Sequence, residues 1–237
     1  LKPQPKKVQL PIPQEINLPG LSGWFDASSF DEEFRVWNDK SENNNHAYTL
    51  GGNFSVRTQL AGEKGAYNSF NYVYGDTTCA VKFDAAFNTY KKYTLFHVTA
   101  YDSSVHWHSP TDVTLYKERI FQAPGANYIS GHYAGRIVRY HQNSWVHYDG
   151  NNYSIQDKWL LSMDSPNHVR SYHSDRSLED YDGGAGFISG LTSININNGN
   201  YPAEYSNWNC AEVIFYNRRL TYSEIISVEN YLKNKYF

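Results

Sequence analysis

An all-β sandwich or jelly roll closed by one helix is the fold this sequence predicts, and three observations predict it. Aromatic residues make up 16% of the 237-residue chain, with 21 Tyr against a single Met. Flat rings pack well on a pleated surface, so this excess favours strands. Short alternating runs ("AYTL", "NYVY", "CAVKF", "YTLFHVTAY", "DVTLYKER", "RIVRYH", "SWVHYD", "KWLLSM", "HVRSYH", "SININ", "CAEVIFY") are separated by polar clusters such as "HYAG", "YDGNN", "YDGGAG" and "INNGN". The chain then ends on one amphipathic segment, "LTYSEIISVENYLKNKYF". Many short strands with polar turns point to two packed sheets.

The first twenty residues carry five of the nine prolines. Proline fixes φ and removes a donor, so 1–20 is expected to be an extended arm. It is either a linker or a segment that docks on another copy or a neighbouring domain, helped by Val8, Leu10 and Ile12. The chain opens on Leu1, as expected of a processed or excised form. The globular part is expected to run from 21 to 237 as one domain, starting at "GWFDASSF". Near its end, "AEVIFY" places Ala211, Val213 and Phe215 on one face and Glu212, Ile214 and Tyr216 on the other if it alternates strictly. "YNRRL" turns the chain. Thr221, three residues before Glu224, forms a capping-box pattern, and Ile225, Val228 and Leu232 make an apolar stripe. The helix is expected across an end of the sandwich.

A formal charge of −3 with both signs dispersed excludes the basic stripe of a nucleic-acid binder. No run has the ~18 apolar residues of a membrane span. Cys79 and Cys210 both open strand-like runs and could be bonded or free. The sequons at Asn53 and Asn152 would matter in a secretory or viral setting.

Both ends of the chain resemble LamG-like domains of the concanavalin A-like lectin/glucanase superfamily. The matching stretches are "GWFDASSF…RVWNDKSENNNHAYTL" and "CAEVIFYNRRLTYSEIISVENYLKNKY". The resemblance implies a two-sheet antiparallel jelly roll whose first and last strands lie side by side, with Trp24, Phe25, Trp37, Val213 and Leu232 in the core. Glu42 stands where such domains commonly have Gly, which should alter that turn. A fold of this kind carries lectins, hydrolases, lyases and passive modules, so function must come from sites.

No catalytic residues emerge. Glycosidases need two carboxylates about the sugar bond, and the Glu-x-Asp-x-(x)-Glu strand that hydrolases on this fold use is absent. The alginate-lyase patterns, a Gly-x-Ser-x-Gly elbow and a phosphate loop are absent too. His106 and His108 in "HWHSP" could pair on zinc, but no compact third ligand follows. The segment is better read as a loop exposing Trp107.

A sugar site wants an aromatic platform beside Asp or Asn in loops. Three stretches offer one: "VHWHSP" (His106, Trp107, His108), "SGHYAGR" (Tyr133) and "HQNSWVHYDGNNYS" (Asn143, Tyr148, Asp149, Asn151, Asn152, Tyr153). Trp145 lies within an alternating run and is expected in the core. Calcium is the one cofactor the loops could hold, through Asp149 and Asp157 or through Asp180 and Asp182 in a Gly-rich turn. These features predict a non-catalytic extracellular, cell-surface or virion-surface module that binds a glycan or glycoprotein. The alternative is an assembly domain of a virion, appendage or matrix using residues 1–20; a polysaccharide-active enzyme ranks third.

Overall fold

The computed structural model describes residues 11–87, 92–102, 117–141, 144–148, 158–166, 168–173, 176–182 and 191–237. In chain order the strands begin with β1 (Leu21–Asp26), β2 (Phe30–Asp31), β3 (Val36–Trp37), β4 (Ala47–Leu50), β5 (Ser55–Gln59) and β6 (Phe70–Gly75). Next come β7 (Ala80–Lys82), β8 (Thr94–Tyr101), β9 (Phe121–Gln122), β10 (Tyr128–Tyr133), β11 (Arg136–His141) and β12 (Ser144–Tyr148). The last are β13 (Leu160–Ser165), β14 (His168–His173), β15 (Arg176–Asp182), β16 (Asn195–Ile196) and β17 (Trp208–Tyr216), before helix α1 (Tyr222–Tyr236).

They form two antiparallel sheets. One, 8-stranded, runs β15-β14-β13-β8-β17-β6-β5 with β1 also on β17; the other, 9-stranded, runs β12-β11-β10-β9-β16-β7-β4-β3-β2. The first and last strands do lie side by side, Phe25 opposite Val213. Of "DVTLYKER" only Lys117 to Arg119 are described; they form no strand, and Arg119 makes an isolated bridge with Tyr205.

Two apolar layers result. Phe25, Trp37, Phe83, Phe121, Trp208 and Phe215 fill the space between the sheets. Trp24, Phe96, Trp159, Met163 and Ile214 lie on the other face of the 8-stranded sheet, under Ile225, Val228 and Leu232 of α1. The helix therefore covers a sheet face, where an end was expected. The reason is visible in β8, whose eight residues are all buried: both faces of that strand need a cover. The capping box forms as expected, with Thr221 and Glu224 exchanging both bonds.

Strict alternation fails in β17. Its register slips between Cys210 and Glu212, a β-bulge that leaves Ala211 with Ile214 and Tyr216 on the helix side. Glu212 also points to that side and is fully buried. The turn containing Glu42 keeps a glycine-like backbone, with Glu42 itself at φ 70. Cys79 and Cys210 are free and buried. Residues 11–20 lie against the domain: Ile16 is fully buried, and its carbonyl accepts from the Tyr216 hydroxyl at 2.8 Å.

Candidate functional site

A two-residue turn at Ala134 (φ 50) and Gly135 (φ 73) joins β10 to β11, with Tyr133 opposite Arg136. Both positive φ values suit the tight turn that matches strand twist. Along β10, Ser130 and His132 contact groups between the sheets, while Ile129 and Tyr133 line a pocket on the other face. Register then carries a row across three strands: Ile129 opposite Tyr140, and Tyr140 opposite Trp145.

That row is one wall of a pocket of about 170 Å3, lined by Arg119, Asn127, Ile129, Tyr133, Tyr140 and Trp145. The Trp145 and Tyr140 rings meet edge-on, centroids 4.8 Å apart. Trp145 is 52% exposed, which overturns its expected place in the core. Alternation says which side chains share a face, not whether that face is covered, and β12 is the edge strand of its sheet. Arg119 is nearly buried; its Nε bonds the Glu204 carboxylate and its Nη1 donates to Asn127 Oδ1 at 2.6 Å. Its guanidinium also lies 4.2 Å from the Tyr201 ring centroid and 5.6 Å from that of Tyr133. Burial raises the Tyr133 hydroxyl pKa, and the nearby Glu204 and Glu118 add to it.

Of the residues singled out from sequence, Tyr133 is in this pocket. Tyr148 ends β12 opposite Val138. Asp180 and Asp182 sit on β15, opposite Arg170 and His168, and not in a turn. That is a correction: where a Gly-rich turn is expected, Asp180 and Asp182 belong to a strand paired to β14. His106, Trp107, His108, Asn143, Asp149, Asn151, Asn152, Tyr153 and Asp157 lie outside the described residues. Among the described residues no group of three or more His, Cys, Asp or Glu could hold a metal ion.

Sequence reasoning missed Arg119, Asn127, Tyr140 and Glu204. Tyr140 had a usable signal, because it and Trp145 flank a short hairpin connection and must pair across it. Arg119 and Glu204 are far apart in sequence and had none.

Behind the pocket, between the sheets, lies a buried polar network. The Asp164 carboxylate accepts from the Tyr93 hydroxyl at 3.0 Å and from His141 Nε2 at 3.1 Å, with Arg139 Nε at 3.5 Å. His97 bonds Thr99 at 2.9 Å and Ser130 at 3.1 Å. Burial keeps His97 and His132 neutral, with the Arg139 charge reinforcing it; His132 is pushed down to about 3. The network ties β8, β10, β11 and β13 together.

No protein-family model matches the chain, and no curated protein matches its sequence. Solved structures do. Domain 4 of AbnA, a GH43 extracellular arabinanase from Geobacillus stearothermophilus solved in complex with arabinotriose, is similar with a TM-score of 0.53. It is 11% identical, over 86% of this chain and 96% of that one. The botulinum neurotoxin serotype D binding domain has a TM-score of 0.53 at 12% identity, over 92% of this chain and 53% of that one. The binding domain of Paraclostridial Mosquitocidal Protein 1 has a TM-score of 0.52 at 12% identity, over 90% and 52%. The chain thus spans about half the length of the toxin binding domains it matches. These are likenesses of fold, and they agree with the two-sheet sandwich described above.

Proposed function

We propose that this chain is a non-catalytic recognition module that binds glycan in the pocket beside Trp145. One observation carries the proposal: a half-exposed indole stands against Tyr140 at the rim of a pocket containing Arg119 and Asn127. Sugars present C–H faces that stack on rings and hydroxyls that need fixed polar partners. The similar arabinanase domain was solved with arabinotriose, which supports an oligosaccharide as the ligand class. The role fits an extracellular or surface-displayed protein. Asn143, Tyr148, Asn151, Asn152 and Tyr153 flank Trp145 in sequence and are proposed as further contacts. Asp149 and Asp157 are proposed as the calcium ligands; Asp180 and Asp182, on a paired strand, no longer offer the loop that reading needs.

The test is a glycan array on the full chain with calcium and again with EDTA, repeated with Trp145→Ala and Tyr133→Ala. A defined hit weakened roughly three- to tenfold by Trp145→Ala, with an unchanged melting temperature, supports the pocket. A hit lost in EDTA supports calcium. A hit indifferent to both substitutions moves the site elsewhere, and silence under both conditions refutes the glycan assignment.

A second function, assembly with another protein, is favoured by a separate observation. Phe34 is 73% exposed, and Tyr48 and Leu50 on one face of β4 are 60% and 46% exposed. Light scattering of the full chain, with and without residues 1–10, tests self-assembly.

A further inference from the structure

We propose that the pocket selects an uncharged sugar ring, because its guanidinium is already neutralised and offers hydrogen bonds without net charge. This rests on the glycan reading above. Arg119 is nearly buried, and it spends Nε on the Glu204 carboxylate and one Nη1 bond on Asn127 Oδ1. Nη2 has no acceptor among the described residues, and Arg119 lines the pocket, so Nη2 is left for a ligand oxygen. Accepting from Nη1 also fixes the orientation of the Asn127 amide, leaving its Nδ2 as a second donor. Two donors held by neighbouring side chains suit adjacent hydroxyl oxygens on one ring.

An acidic sugar gains little here. Its carboxylate would have to displace Glu204 from the guanidinium or share it, placing two like charges at one partner. The surroundings are balanced as well: Glu204 and Glu118 act on the Tyr133 hydroxyl in one direction, Arg119 and Arg136 in the other. Tyr201 lies over Arg119, so the guanidinium is held by a ring as well as by a carboxylate. Size points the same way. A volume of about 170 Å3 is below the ~300–1,000 Å3 that encloses a drug-sized ligand, so one ring enters and the rest of the chain passes Trp145.

The experiment compares immobilised neutral pentose and hexose oligosaccharides with uronate-containing and sialylated ones, using the full chain and Glu204→Gln. The native chain is expected to favour neutral sugars by roughly tenfold or more. In Glu204→Gln the guanidinium is no longer neutralised, and the acidic-to-neutral ratio should rise by about tenfold. Should that variant fold poorly, native affinity between 50 and 500 mM salt decides instead. Binding to a neutral ligand should be nearly flat, whereas binding driven by a free guanidinium falls with salt. A native preference for acidic sugars, a steep salt dependence, or an unchanged ratio in folded Glu204→Gln overturns the inference and leaves the glycan reading standing. Failure to bind any sugar overturns both.

Discussion

Trp24 donates its indole N–H to the Glu212 carboxylate at 2.7 Å, joining the first strand to the bulge of the last. The same carboxylate accepts from Lys235 Nζ at 2.7 Å and from the Tyr236 hydroxyl, so it also pins the end of α1. Glu212→Ala strands two buried donors, the Trp24 indole and the Tyr236 hydroxyl, while Lys235 is one-third exposed and keeps Asp26 and Tyr231. Each buried donor left without an acceptor costs roughly 1–3 kcal/mol, so the loss should be about 2–5 kcal/mol. Urea unfolding should show a loss of that size, with a smaller one for Glu212→Gln, which can still accept. A loss under 1 kcal/mol would mean that water replaces the carboxylate.

Acid should weaken the fold before its carboxylates titrate. His97 and His132 are neutral inside, held well below the usual 6.5 by burial and then by Arg139; His132 falls to about 3. In the unfolded chain both titrate near the usual value. Below pH 6.5 the unfolded state therefore binds more protons, and stability drops as pH falls toward 3, by up to ~1.4 kcal/mol per pH unit for each histidine. Arg139 itself pairs with Asp164 at 3.5 Å, which His141 also contacts at 3.1 Å. Denaturant titrations at pH 7, 6 and 5 should show a steady decline; a flat profile would mean that these imidazoles protonate without unfolding.

Glu42 at φ 70 holds a backbone region that costs a side chain roughly 1 kcal/mol. Glycine enters it freely. Glu42→Gly should raise stability by up to about 1 kcal/mol, a gain of a few degrees in Tm. A lower Tm would show that the Glu42 side chain has a compensating contact.

The thiols should be silent until the protein unfolds. Burial pushes Cys79 up to about 11 and raises Cys210 as well, so neither offers thiolate at neutral pH. A colourimetric thiol reagent at pH 8 should report no thiol in the native protein and two after denaturation. Rapid modification of the native state would require the strand Ala80–Lys82 to open.

Local signals survived the passage from sequence to structure, and relations between distant segments did not. Thr221 and Glu224 form a cap within one helical turn, so their spacing alone announced it. Trp24, Phe25, Trp37, Val213 and Leu232 are all buried, as the resemblance at both ends of the chain implies. The bulge at Ala211 is invisible in "AEVIFY", because alternation has no mark for one extra residue. "HYAG" reads as a turn, but His132 and Tyr133 belong to β10 and only Ala134 and Gly135 make the turn. The candidate site was half legible. The surroundings of Tyr133 mark it in the sequence, the alternation around Trp145 points it to the core, and Arg119 meets Glu204 only because the chain returns after 85 residues.

β17 pairs with β1 and β6 along one side and with β8 along the other. The midline of the 8-stranded sheet is thus made after every other described strand of the two sheets. As the chain emerges during synthesis, β1, β6 and β8 have no common neighbour until Tyr216 has appeared. Both apolar layers stay open for most of that time, so this domain cannot fold stepwise from its beginning. It must wait, exposed, for its own final strand.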